Sequence, residues 1–200
     1  MARRCSRAPF SRRIAVTDAR GKIMRNLVLA PQDTRAIAMN AEQHVSARVR
    51  RRFRAPAEHV FDAWLDPKIA SKWLFAKPSG QILCAEIDGR VGGWFYIVDR
   101  RDGEDVEHVG EYFEVDRPNR LVFKLLVEKY AQNFDGVTVQ IVPLAHGCEL
   151  TLTNDIAPNM ADTVRRIEAC WGDLLDRLAE TIGEGRVGAA ILDAPAAWRR

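Results

Sequence analysis

Cysteine is scarce in this 200-residue chain. The four cysteines, Cys5, Cys84, Cys148 and Cys170, form no CxxC pair and no spacing that suggests a disulfide framework or a thiolate metal site. They are expected to be reduced, in an intracellular protein. Histidine is equally thin. His44, His59, His108 and His146 are scattered without HxH, HxxxH or HExxH spacing, so no metal is expected. No apolar run approaches the ~18 residues that a bilayer-spanning helix needs, and a cytoplasmic location is the expectation. GxSxG and other nucleophile signatures are missing. Gly92-Gly93 lacks GxGxxG or Walker spacing and precedes a strand, not a helix, so no phosphate cradle and no cofactor are expected. The glycine pair is read instead as a bulge or sharp bend. Repeats and low-complexity segments are also lacking.

The charge is unevenly spread. From Met1 to Ala38, nine Lys and Arg stand against Asp18 and Asp33, so this leader holds +7 while the whole chain holds +3, leaving −4 for the rest. A mildly acidic remainder speaks against nucleic acid as a partner. The leader has the composition of a transit peptide or a disordered basic arm, and Met39, just before the first strand, offers an alternative start. Residues 1–43 are therefore set apart as a basic, disordered leader, 44–183 as one domain, and 184–200 as a flexible tail.

The densest information lies in Arg52–Trp73, where two Pro-started helices crowded with aromatics follow a strand. Pro56 and Pro67 fit first helical positions, where the missing N–H is harmless. Asp66 can cap the second helix, whereas Ala55 cannot cap the first and leaves Glu58 to complement its dipole. Val60, Phe61, Trp64 and Leu65 share one face of that first helix. Before it, Val45, Ala47, Val49, Arg51 and Phe53 alternate with Arg48, Arg50 and Arg52 in a strand. Strands are also predicted over 81–88, 94–100, 106–115 and 121–128, and two clear alternations follow at 137–141 and 148–152. Trp94–Arg100 carries aromatics on both sides, so its core face is open. A long amphipathic helix runs from about Pro158 to Ile182, its stripe formed by Val164, Ile167, Trp171, Leu174, Leu175, Leu178 and Ile182. Such an order predicts an α+β fold, a mainly antiparallel sheet with helices on one face.

Several short motifs occur in a telling sequence: Phe53-x-Ala55-Pro56, Val60-Phe61-x-Ala63-Trp64, Asp66-Pro67, Asp88-x-Arg90-Val91-Gly92-Gly93, Gly110-x-Tyr112-x-Glu114-Val115, Pro118-x-Arg120-Leu121-Val122-Phe123, and Trp171 before Leu175 and Leu178. Together they resemble the SRPBCC superfamily, and within it homologues of the C-terminal domain of the activator of heat-shock-protein-90 ATPase. The resemblance runs from about Val45 to Ile182. It implies the START-like, birch-pollen-allergen-like helix-grip: a curved seven-stranded antiparallel sheet around a long C-terminal helix, with two short helices after the first strand, over a hydrophobic pocket. Two positions depart from the pattern. Asn154 stands where a Thr-x-x-His motif often ends the last strand, and Cys170-Trp171 replaces Gly-Trp.

The leading expectation is a binding protein that holds a small hydrophobic or amphipathic ligand between sheet and helix. Candidate lining residues are Arg51, Trp64, Trp73, Phe75, Phe95, Tyr112, Phe123 and Trp171. Arg51 shares a face with Val49 and Phe53, so its guanidinium needs a carboxylate or a ligand anion. The aromatics fill a core in the bland reading and wall a pocket in the other. No catalytic residue is assigned. The rival readings are a cyclase, aromatase or dehydratase acting on a polyketide-like substrate, with Arg51, Tyr112 or a strand carboxylate moving protons, and a regulator of a heat-shock chaperone ATPase. If Trp94 and Tyr96 lie on the outer sheet face, a homodimer through that face is a reasonable expectation.

Overall fold

A computed structural model describes residues 45–77, 80–127 and 135–183. The leader 1–43 and the tail 184–200 lie outside the described residues. Seven strands form one antiparallel sheet: β1 (Val45–Phe53), β2 (Gln81–Ile87), β3 (Trp94–Arg101), β4 (Glu104–Asp116), β5 (Arg120–Val127), β6 (Asp135–Leu144) and β7 (Gly147–Ile156), in spatial order β1-β7-β6-β5-β4-β3-β2. Strands β2 to β7 each pair with the next in sequence, and β7 then pairs with β1. Register shifts at Ile82/Cys84 and Tyr112/Glu114 insert bulges that bend the sheet.

Helices α1 (Ala57–Leu65) and α2 (Pro67–Trp73) follow β1, and α3 (Val164–Thr181) ends the described fold. Asp66 caps α2 as expected, its Oδ1 accepting from Lys68 N–H at 2.8 Å. In α1 the prolyl residue is itself the N-cap and no side chain caps it, one position from the expected start. The long helix is shorter than predicted. Pro158–Thr163 forms a 3₁₀ turn with no buried residue, so no apolar face holds that segment in the α conformation.

Alternation along β3 places Phe95, Ile97 and Asp99 inward, opposite Gly110, His108 and Val106 of β4. Trp94 and Tyr96, half-buried, take the outer face. The inner face continues through Tyr112, Phe123, Val137, Val139, Leu150 and Leu152 and meets Trp171, Leu174, Leu175 and Leu178 of α3. Burying each of those four helix side chains contributes roughly 1.5–3 kcal/mol. Polar ties fix the helix over the sheet's free edge: Glu168 accepts from the backbone N–H of Arg48 at 3.1 Å, Asp176 pairs with Arg51, and Arg177 donates to the Ala76 carbonyl. The Arg48 N–H on the β1 edge is thereby paired rather than left open to another chain.

The bend expected at Gly92-Gly93 is present. Gly92 has φ +75°, its N–H donates to the Tyr112 carbonyl at 2.8 Å, and Gly93 O accepts from Tyr112 N–H at 2.9 Å. Cys148 and Cys170 are in no disulfide, but Cys84 is disulfide-bonded. The expectation of four reduced cysteines is corrected at that position, because separation along the chain does not limit pairing in space. No helix among the described residues is long and apolar enough to cross a membrane.

Candidate functional site

All seven predicted aromatics face the interior between sheet and α3, and they form one connected network. Trp64 meets Trp73 edge-on at 4.7 Å between ring centroids and lies 6.1 Å from Phe123 and 6.3 Å from Trp171. Phe95 lies 5.6 Å from both Tyr112 and Phe123, and Phe75 lies 6.4 Å from Phe95 and 6.1 Å from Trp171. None is more than 6% exposed, so in this conformation the rings pack on one another. Two surface depressions lie near the α1–α2 corner, one bounded by Pro67, Glu86, Asp88 and Trp94, the other by Asp62, Leu65 and Lys68. Neither is lined by any of the seven aromatics.

Arg51 stands apart from this network. Its guanidinium pairs with Asp176 on α3 and lies 5.5 Å from the Phe53 ring centroid. Glu114, another strand carboxylate, accepts from Arg120 at 3.0 Å. Burial pushes the Tyr112 phenol above its ordinary pKa, which keeps it protonated. These groups do not converge as a proton-transfer site.

A different cluster does converge. Asp99 is fully buried, His108 is 2% exposed and Arg101 closes the group from its rim. Arg101 grips the Asp99 carboxylate through Nε and, at 2.9 Å, through Nη2. His108 Nε2 lies 2.7 Å from Asp99 Oδ1 and 3.1 Å from Arg101 Nη2. A carboxylate only accepts and a guanidinium only donates, so the short contact assigns the Nε2 proton to the bond with Asp99. Nδ1 then carries a bare lone pair, and this buried atom has no hydrogen-bond partner among the described residues. Burial pulls the His108 pKa below its ordinary value, against the opposing pull of Asp99 and with lesser help from Arg101 and Lys77, which keeps the ring neutral at pH 7. Desolvation works against the charge on Asp99, but its bonds from His108 and Arg101 prevail and hold its pKa down.

Local backbone geometry presses an aromatic onto that imidazole. Phe75 follows the C-terminal end of α2 with φ +59°, a left-handed conformation that usually falls to glycine and costs a side-chain-bearing residue about 1–2 kcal/mol. The conformation brings its ring flat against His108, with centroids 4.0 Å apart and planes within 3°. Gly110 matters at the next inward position of β4. A Cβ there would sit 2.2 Å from the Phe95 ring and 2.3 Å from the Lys124 carbonyl oxygen.

Asn154, buried on β7, completes the polar set. Its Oδ1 accepts from Trp171 Nε1 at 2.8 Å, while its Nδ2 has no hydrogen-bond partner among the described residues. Burial pushes the Asp135 pKa up, with the Asn154 amide pulling more weakly the other way. The indole N–H of Trp64 is likewise buried and unpartnered among the described residues. Asp99, Arg101, His108 and Asn154 were missed as site residues by sequence reasoning. The available signal was the alternation Phe95-x-Ile97-x-Asp99-x-Arg101, which runs charge onto an apolar face. Register, which brings His108 opposite Ile97, was not legible.

A curved antiparallel sheet closed by a C-terminal helix, with an aromatic interior holding a few buried polar groups, defines a helix-grip protein of the SRPBCC superfamily. The chain belongs to the family described as activator of Hsp90 ATPase homolog 1-like protein, whose family model matches residues 54–183. Solved structures share the fold. A protein from Chromobacterium violaceum matches with TM-score 0.62 and 24% identity over 68% of this chain and 96% of its own. One from Nitrosomonas europaea matches with TM-score 0.60 and 24% identity over 72% and 96%. An AHSA1-like protein from Aeromonas hydrophila matches with TM-score 0.59 and 21% identity over 69% and 92%. No curated protein matches the chain.

Proposed function

We propose that this protein binds a small apolar or amphipathic molecule between the inner sheet face and α3, as an intracellular carrier or sensor that does no covalent chemistry. One observation carries the reading: His108 Nδ1, Asn154 Nδ2 and Trp64 Nε1 are buried in the interior without hydrogen-bond partners among the described residues. Each such group costs about 1–3 kcal/mol when left unpaired. An interior serving only to fill space would gain by replacing them with apolar atoms, whereas a guest with matching groups would satisfy them. Trp171 is central to the arrangement, since it touches Trp64 and Phe75 and bonds to Asn154. Its movement would open space beside Trp64, Phe75 and Asn154.

Native mass spectrometry of protein purified from its own cells tests the reading. The expected result is a small-molecule mass excess that denaturation releases and extraction recovers. A bare chain mass, together with a crystal structure in which ordered water satisfies the three nitrogens, would overturn it. A regulator of a chaperone ATPase is a second reading, supported by the family description alone. Chaperone ATPase turnover measured with and without the protein decides that one.

A further inference from the structure

Charge in this chain divides at the end of β1. Residues 1–54 hold fourteen Lys and Arg against Asp18, Asp33 and Glu42, a balance of +11, while the whole chain holds +3, leaving −8 for residues 55–200. Asymmetry of this size is the mark of a chain that meets a polyanion or a charged surface.

Sheet pairing shows where the cationic strand points. Ala47 and Phe53 are buried on the inner face, so Arg48, Arg50 and Arg52 alternate onto the outer face, opposite Thr153, Thr151 and Glu149 of β7. In the next strand, β6 sets Thr138, Gln140 and Val142 in the same three rows, with Leu144 following on the same side. The acids on this part of the face are held. Glu149 is 22% exposed and pairs with Arg50 and Arg52, whose side chains are 65% and 74% exposed, and Asp155 accepts from Ser46 Oγ at 2.6 Å. The arginines therefore reach further into solvent than their counterion. Beside the Arg52 row, Val142 and Leu144 are 58% and 43% exposed near the tip of the β6–β7 hairpin. Among the described residues, comparable exposure of a large apolar side chain occurs only at Val91 and Met160.

We infer that the outer face of β1, β7 and β6 docks on an anionic lipid bilayer, with Arg48, Arg50 and Arg52 on the headgroups and Val142 and Leu144 at the acyl boundary. The leader's +7 is joined to this same strand, and the −8 of residues 55–200 turns the remaining surface away from the lipid. A lone weak signal gives marginal membrane binding, whereas a basic patch with inserted apolar side chains supplies two. Nucleic acid would satisfy the arginines but offers no apolar phase to Val142 and Leu144. Docking of this face does not depend on whether the interior takes a guest.

Cosedimentation of the full chain with vesicles tests this. The protein should bind phosphatidylcholine vesicles containing about one part in three phosphatidylserine and ignore phosphatidylcholine alone. Binding should be lost between about 0.1 M and about 1 M salt, as the screening length contracts from ~10 Å to ~3 Å. Each arginine is worth about fivefold, so Arg48→Gln, Arg50→Gln and Arg52→Gln together should weaken binding about a hundredfold with the leader unchanged. Val142→Ser with Leu144→Ser leaves the charge intact and should weaken binding about tenfold. Circular dichroism checks that these surface variants fold. Amide exchange of the unmutated protein gives a readout free of substitutions: it should slow at residues 144–147 when anionic vesicles are added. Absence of binding to anionic vesicles, full binding by the arginine variant, or unchanged exchange at 144–147 would overturn the proposal. Full binding by the serine variant, with duplex DNA displacing the vesicles, would overturn it in favour of nucleic acid.

Discussion

Replacing Asp99 by asparagine is the sharpest perturbation of the buried cluster, because it alters charge with little change in volume. Asp99 is fully buried and accepts from Arg101 Nε, from Arg101 Nη2 at 2.9 Å and from His108 Nε2 at 2.7 Å. Asparagine keeps one acceptor oxygen and presents an NH2 group to the other partners, so the bidentate grip is lost. Breaking a buried pair by removing one partner costs about 3–5 kcal/mol. Arg101 retains 21% side-chain exposure, through which water can solvate its stranded charge, so the expected loss lies near the bottom of that range, about 3 kcal/mol. Urea denaturation of the full chain, followed by fluorescence and circular dichroism, measures it, with an unchanged slope expected. Two further readouts separate the electrostatic cause from simple damage. The amide NH2 introduced by Asp99→Asn would favour the other imidazole tautomer, moving the His108 proton to Nδ1. Loss of the Asp99 pull should also depress the His108 pKa further. Asp99→Leu combined with Arg101→Met, which removes both charges, should be less destabilising than Asp99→Asn alone. A loss below about 1 kcal/mol for Asp99→Asn, or a double variant worse than the single one, would refute the account of the cluster as a buried, mutually dependent unit.

Two other perturbations follow from the same region. Gly110→Ala would place a methyl group 2.2 Å from the Phe95 ring and 2.3 Å from the Lys124 carbonyl oxygen. The expected loss is about 3 kcal/mol in chemical denaturation, and Phe95→Leu should recover only part of it, because the carbonyl belongs to the backbone. The second concerns pH. The folded pKa of His108 lies below its ordinary 6.5, so below that value the unfolded chain binds more protons than the native protein. Its contribution to stability is therefore complete above about pH 6.5 and falls as pH drops from there towards the folded pKa, with a limiting slope of about 1.4 kcal/mol per pH unit. The lowered Asp99 pKa acts in the same direction at more acidic pH, below the ordinary 3.8. Stability measured between pH 5 and 7 should decline on acidification in the native sequence and less steeply in His108→Leu. Parallel curves for the two proteins would refute the assignment of a neutral, desolvated imidazole.

The architecture was more legible in the sequence than the site, for physical reasons. Element order and the core face of most strands depend on local periodicity, which β6 and β7 display almost without exception, and on caps such as Asp66. The seven aromatics were found because large apolar side chains at core-facing positions are seldom anywhere but inside. The site's polarity depends instead on register. Asp99 and His108 are nine residues apart, and their meeting requires that β3 and β4 pair so that Ile97 lies opposite His108. A shift of one residue would turn His108 to the outer face. Arg51 shows a related limit. Its place among apolar residues of β1 correctly indicated a need for a countercharge, but that partner, Asp176, comes from a helix more than a hundred residues later. Phe75 was selected as an aromatic, whereas its left-handed backbone, which lays the ring on His108, has no sequence signature beyond the end of a helix.

The tension between a packed aromatic interior and a binding site resolves when polar satisfaction is considered beside packing. Seven rings in mutual contact would serve equally well as inert filling, and their burial alone does not distinguish a collapsed pocket from a solid core. The polar atoms do distinguish the two. Trp73, in the same network, directs its indole N–H to the Ala63 carbonyl at 3.1 Å, and Trp171 directs its own to Asn154. Those two indoles are satisfied as stable cores require. Trp64 lies between them, edge-on to Trp73 and near Trp171, yet its indole N–H is unpaired among the described residues. His108 shows the same asymmetry within one ring, with Nε2 held by Asp99 and Nδ1 unpaired. Unpaired groups therefore alternate with fully satisfied ones inside a single network, which general looseness of packing would not produce. Two of them, on Trp64 and Asn154, belong to side chains that lie against Trp171, whose helix is held to β1 and the α2–β2 connection by half-exposed polar ties at Glu168, Asp176 and Arg177. Such ties are individually worth about 1 kcal/mol or less, so the principal resistance to lifting Trp171 is the apolar stripe beneath it, which an apolar guest would replace in kind.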